Sequence, residues 1–246
     1  VGGGNGKPVA CKVVDLSNRN AKQAVDDAKR EARILGGLKH KGLAAVIETF
    51  EENGFFCLVE TYFDGVNMKK TYLETPQEIR MLAKPIMDEL CSILSYVHSK
   101  RIVHADLKPE NILASGEGRV CLIDFANARK GWERWLFFGR QITGTRNFMA
   151  PEQIQNKRID NRTDIYALGV VLYYMLTGRF PFAAASEKDV LKKQLYEKPL
   201  PISDHGVNPA MQRVITRALE KDPAQRYQHV GQFRHEIKPL PFFRER

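Results

Sequence analysis

Apolar and polar residues alternate along this chain in two rhythms, and the change from one to the other divides it. VACKVV, Val9 to Val14, is a near-continuous apolar run after a Gly-rich start and reads as a strand. After a polar break at SNRN, residues Ala21 to Leu38 carry Val25, Ala28, Ala32 and Leu35 at helical spacing, with Glu31 one step off that stripe. Two further apolar runs, Ala44 to Phe50 and Phe55 to Val59, flank EENG, whose Asn53 and Gly54 signal a hairpin turn. Strand, helix and hairpin predict a small sheet with one packed helix.

Beyond TYFDGVN, read as a connector, the pattern becomes helical. Thr75-Pro76-Gln77-Glu78 has the form of a capping box with Pro at the first helical position. Ile79, Leu82, Ile86, Leu90, Leu94 and Val97 then keep helical spacing to His98, and Pro85 is expected to kink the helix. Ile102-Val103 and Ile112-Leu113 are short apolar strands on either side of HADLKPEN, and RVCLIDFANA reads as a strand ending at Asp124. From Arg129 to Thr145 no period is visible; Trp132, Trp135, Phe137 and Phe138 lie there, and the two tryptophans are expected to pack on the protein's own surface. DIYALGVVLYYMLTG is apolar almost all round and predicts a buried helix ending at Gly178. Helices are also expected at Glu187 to Leu195, Ala210 to Glu220 and Val230 to Ile237.

At 246 residues, with 43% hydrophobic and 27% charged side chains, the chain is long and mixed enough to bury a substantial core, which argues against a disordered chain. No apolar run approaches the roughly 18 to 20 residues that cross a bilayer, and Val1 begins no signal-peptide pattern. Cys11, Cys57, Cys91 and Cys121 each sit in an apolar segment and form no CxxC pair, so they are expected to be reduced core thiols of a cytoplasmic protein. The net charge of +9 suits nucleotides or acidic peptides, but the basic residues are scattered, and no nucleic-acid partner is expected.

The chemistry concentrates in HADLKPEN. Asp106, Lys108 and Asn111 fall within six residues, Pro109 stiffens the loop, and flanking apolar strands pin it. Asn111 lies five residues after Asp106, and the strand-terminal Asp124 lies thirteen after Asn111. These are hard oxygen donors of the kind Mg²⁺ prefers beside phosphates. A carboxylate that can orient a hydroxyl, and a cation near the phosphates, would complete a phosphoryl-transfer site. Taken alone, Lys12 reads as a solvated strand residue, and Glu31 as facing either a neighbour or water.

In order and nearly end to end, from Val9 to Ile237, these segments resemble the protein kinase family. VACK resembles the family's VAIK strand, which implies Lys12 as the lysine on the ATP phosphates and Glu31 as its helix partner. HADLKPEN resembles the catalytic loop, implying Asp106 as catalytic base, Lys108 near the transferred phosphate and Asn111 on Mg²⁺. IDFA resembles the DFG segment, with Asp124 as the main Mg²⁺ ligand, and GTRNFMAPE resembles the end of the activation segment, with Thr145 near Asp106. The same resemblance implies that Ala10, Glu60, Thr61, Phe63 and Leu113 help to bind the nucleotide, that Asp164 holds the catalytic-loop backbone, and that Glu152 pairs with Arg226. The expected fold is α+β and two-lobed: a small sheet lobe over 1–63 and a larger, mostly helical lobe over 64–246. LKPEN points to a Ser/Thr kinase, and the tail RALEKDPAQRYQHVGQF is most similar to bacterial members. ATP, Mg²⁺ and a protein substrate are implied, with a regulatory protein as a further possible partner.

The chain also departs from the family pattern. Only 11 residues precede Lys12, fewer than the roughly 15 that two strands and a turn need, and Gly2, Gly3, Gly4 and Gly6 do not match the phosphate clasp, so the flap is expected to have been left off. Ala105 stands where the family usually has the Arg that binds a phosphorylated activation loop, and the usual phosphosite position holds Gln141. Activity is therefore expected not to depend on loop phosphorylation. Ala126 replaces the Gly of DFG and is expected to resist a positive φ there, at about 1 kcal/mol. Glu60 falls at the back of the adenine pocket, where the family is usually apolar or Thr; a one-residue shift would make it an ordinary connector Glu. A pseudokinase that binds nucleotide or scaffolds a partner is the competing expectation.

Overall fold

The computed structural model describes residues 6–130, 146–202 and 206–243. The first strand, β1 (Val9–Asp15), is followed by α1 (Ala21–Gly36), β2 (Val46–Glu52) and β3 (Phe55–Thr61). The strands form an antiparallel sheet in the order β1-β3-β2. Asn53 and Gly54 both have left-handed backbone, φ +50° and +80°, as a two-residue hairpin turn demands. β3 is central because its alternate residues Phe56 and Leu58 are apolar and bury against Val25 and Ala28 of α1. β1 lies at the sheet edge, so Cys11 is exposed and Cys57 half-buried; only Cys91 and Cys121 are the buried thiols expected.

The larger part follows. It begins with β4 (Val66–Asn67), α2 (Met68–Glu74), α3 (Pro76–Ser99), β5 (Ile102–Val103), β6 (Ile112–Ala114), β7 (Val120–Leu122) and β8 (Arg129–Lys130). It continues through α4 (Pro151–Ile154), α5 (Asn161–Thr177), α6 (Glu187–Tyr196), α7 (Pro209–Ala218) and α8 (Val230–Ile237). Two small sheets, β4-β6-β7 and β5-β8, present the loops between them. Helix α5 is the hub, with Ile165, Leu168, Val170, Val171, Leu172 and Met175 wholly buried. Asp160 caps its start by accepting from the Arg162 N–H (2.8 Å), and Gly178 ends it at φ +72°. Gly169 lets α7 approach, since a Cβ there would lie 2.8 Å from that of Ala218.

Two local expectations need correction. The segment after the connector already holds α2, started by Asn67 accepting from the Lys70 N–H. The Thr75 hydroxyl meets the Glu78 carboxylate (3.0 Å) rather than capping the backbone of α3. That helix runs through Pro85 without interruption. The result is a two-lobed α+β architecture, as expected, and no helix among the described residues is long and apolar enough to cross a membrane.

Candidate active site

Lys12 and Glu31 meet where the sheet faces α1. Lys12 is paired with Leu58 across the β1–β3 ladder, so its side chain shares the face that packs on the helix. Its Nζ donates to Glu31 Oε2 (2.7 Å) and reaches Asp124 Oδ1 (3.4 Å). Glu31 is only 2% exposed, which settles its direction: it faces a neighbour. Its other oxygen accepts from the Phe125 N–H (2.8 Å), and Arg30, next to it on α1, donates to the Ala126 carbonyl (3.0 Å). Burial pushes the Lys12 ammonium down, but Asp124 and Glu31 outweigh it and hold the group above its usual range.

The loop between β5 and β6 hangs from the core. Asp164 of α5 is fully buried and accepts from the His104 N–H (2.9 Å), the Ala105 N–H (2.8 Å) and His98 (2.7 Å). Burial alone would raise its carboxyl; these donors, led by His98, hold it low instead. Ala105 has φ +63°, so the chain reverses sharply just before Asp106. Its carbonyl accepts from Gln153 (2.8 Å), and its methyl packs with Val103 and Ile159. Where the family's Arg would stand there is thus a small apolar cluster.

Asp106 is the point of convergence. Its Oδ2 accepts from Lys108 (2.8 Å), Asn127 (3.2 Å) and, at longer range, Asn111 (3.4 Å). Asn111 also donates from Nδ2 to the Asp106 carbonyl (2.9 Å), which leaves its amide oxygen as the end open to a cation. Asn127 was missed by sequence reasoning. The signal was its place three residues after Asp124, in a segment already singled out.

Asp124 follows β7 with φ +63°, then a 3-10 turn over Phe125–Asn127 begins. Burial would raise its carboxyl, but Lys12, His104 and Lys108 together hold it below the ordinary range. Phe125 is wholly buried and packs edge-on to His104, with ring centres 4.7 Å apart. Ala126 has no positive φ, so the conformation that Ala resists is not called on there; the left-handed residues beside the site are Ala105 and Asp124. Among the described residues no group of three or more His, Cys, Asp or Glu is set to hold a metal. Mg²⁺ beside phosphates needs only one or two protein oxygens, and Asp124 with the Asn111 amide oxygen fits that need.

The remaining sequence-derived residues surround this centre. Ala10 lies opposite Glu60 across β1 and β3, and Thr61 bonds the Ala45 N–H through its hydroxyl (3.0 Å). Phe63 is half-buried over Gly65, and Leu113 pairs with Cys121 in the β6–β7 ladder. Glu60 is half-buried, its Oε1 has no hydrogen-bond partner among the described residues, and burial together with Glu31 pushes its carboxyl up to about 7. Thr145, Gln141, the two tryptophans, and Gly2, Gly3 and Gly4 lie outside the described residues. Farther off, Arg226 and Glu152 form a two-pronged ion pair, 2.8 Å at each prong, both buried.

The model of the protein kinase domain family matches residues 2–238. The chain belongs to the protein kinase family. Its kinase domain is 27% identical over 234 residues to the serine/threonine-protein kinase PrkC of Bacillus subtilis, covering 94% of this chain and 36% of PrkC. It is 32% identical over 222 residues to the serine/threonine-protein kinase PknB of Mycobacterium tuberculosis, covering 85% of this chain and 35% of PknB. The chain therefore spans about a third of the length of these bacterial relatives.

Proposed function

We propose that the chain is an ATP-dependent Ser/Thr protein kinase whose activity does not need a phosphorylated activation loop. The observation that carries the first half is Lys12 held between Glu31 and Asp124, with Asp106 gathering Lys108, Asn111 and Asn127. Lys12 binds phosphate oxygens, and Glu31 fixes its direction. Asp124 and the Asn111 amide oxygen would hold Mg²⁺, which when bound offsets phosphate charge and orients the γ-phosphoryl group. Asp106 accepts a hydrogen bond from the substrate's Ser or Thr hydroxyl and takes its proton as the new O–P bond forms and the bond to the ADP oxygen breaks. Lys108 supplies positive charge to the phosphoryl in flight. The buried methyl of Ala105 supports the second half, because it offers no cation to a loop phosphate.

Phosphotransfer from labelled ATP to a protein substrate tests the reading, beside Asp106→Asn and Asp124→Asn. Each variant should fall by roughly 10² or more, the scale of a lost general base; activity equal to the parent ends the claim. A Gln141→Glu change that raised activity several-fold would end the loop-independence half. The pseudokinase reading remains the alternative because both Ala105 and Ala126 replace family residues. It predicts a rise in melting temperature with ATP and Mg²⁺ but no transfer. A regulatory protein partner belongs to this proposal on family grounds alone.

A further inference from the structure

Glu60 is out of place for a position facing a nucleotide. Along β3, Phe56, Leu58 and Glu60 point to one face, and their partners on β1 are Val14, Lys12 and Ala10. Glu60 therefore shares the Lys12 face, two residues nearer the connection to β4, roughly 6.6 Å farther along the strand. Val46 of β2 lies opposite it on the other side. The other carboxylates of this face are satisfied: Glu31 by Lys12 and the Phe125 N–H, Asp124 by Lys12. Glu60 Oε1 is buried and has no donor among the described residues. Such an oxygen is costly to leave unpaired, and a donor on a bound ligand would satisfy it.

A nucleotide with its phosphates at Lys12 and Asp124, as proposed above, would run its base along the face that Lys12 and Glu60 share, toward the β3–β4 connection. Purine bases differ there at C6. At that position a 6-aminopurine offers N–H donors, whereas a 6-oxopurine offers an acceptor that would face a second acceptor, its N1–H and 2-amino donors lying farther along the ring edge. We propose that Glu60 is the base-selecting residue of this site, accepting from the exocyclic amino group of adenine and rejecting guanine. The inference rests on the ATP-dependent reading above.

Selection should then follow the charge on Glu60. The groups facing it are Lys12 from β1, Glu31 from α1, and Asp124 and Cys121 from the β7 side. Lys12 favours its ionised form, while burial and the two carboxylates oppose it, so it titrates at about 7. Above that pH it only accepts and discrimination is greatest; below it, the protonated acid can donate to a 6-oxo group and discrimination weakens.

Melting temperature against ATP or GTP, with Mg²⁺ and no protein substrate, measures this directly. The parent, Glu60→Gln and Glu60→Met are compared, each with a cooperative ligand-free transition as the check on folding. The parent should prefer ATP, and its GTP-to-ATP ratio of apparent Kd should rise from pH 6 to pH 8. Both variants should lose at least about tenfold of that ratio, the scale of one unmatched buried polar group, and its pH dependence. An unchanged ratio in both variants, with ATP still binding, overturns the inference alone. If neither nucleotide shifts the parent, the ATP-dependent reading falls, and the inference with it.

Discussion

Replacing Arg226 with Met isolates what the buried ion pair contributes. Arg226 is 1% exposed and Glu152 5% exposed, so neither charge has water to fall back on. The guanidinium also donates to the carbonyls of Glu220 (2.7 Å), Arg162 (3.0 Å) and Lys221 (3.2 Å). In Arg226→Met the Glu152 carboxylate would keep the Thr163 hydroxyl (2.8 Å) and lose its countercharge. Leaving one buried charge unpaired costs about 3 to 5 kcal/mol. At roughly 2 to 4 °C per kcal/mol for a chain of this size, the melting temperature should fall by about 6 to 20 °C. The double variant Glu152→Leu/Arg226→Met removes both charges, so it should lose no more than the worse single variant, far less than the sum. Urea unfolding at pH 7, with calorimetry alongside, reads both quantities. A loss below about 1 kcal/mol in Arg226→Met, or strictly additive singles, would refute the reasoning.

Two further outcomes follow from other groups. Glu60 has a folded-state carboxyl at about 7 against an ordinary 4.5, so the folded chain holds a proton that the unfolded chain releases. Stability should therefore fall as pH rises from 4.5 to 7, and Glu60→Met should recover about 2 kcal/mol at pH 8 but little at pH 4, read by urea midpoints; equal gains at both would count against it. Asn127→Ala removes one of the donors on Asp106 Oδ2 and should lower kcat about tenfold while leaving the KM for ATP nearly unchanged; a change in KM alone would place Asn127 on the nucleotide instead.

Much of this arrangement was legible because the chain's local rules agree with its tertiary needs. Helix α5 was readable from its all-round apolar surface, and Asn53-Gly54 from the left-handed angles such a turn requires. The loop from His104 to Asn111 stood out because acid, cation and amide fall so close together. Other features depend on distant neighbours. Met68–Glu74 buries only Met68, so α2 left little pattern to see. Ala126 was expected to resist a positive φ, and none falls there: the left-handed positions are Ala105, whose N–H bonds Asp164, and Asp124, just before the Phe125 N–H that bonds Glu31. Asn127 acts on a residue 21 positions away, and a lone Asn in a loop reads most simply as solvated.

The suspension of the catalytic loop from Asp164 has a consequence for how the protein fails on heating. The amides of His104 and Ala105 are bonded to the least accessible helix, so they should exchange with solvent only when the whole larger lobe opens. Lys12, by contrast, rides on an edge strand over a core of Val25, Ala28, Phe56 and Leu58. One half of the site is thus tied to a large buried core and the other half to a small one. Warming should separate them in sequence, with nucleotide grip lost first and the loop's geometry last, so that inactivation precedes melting.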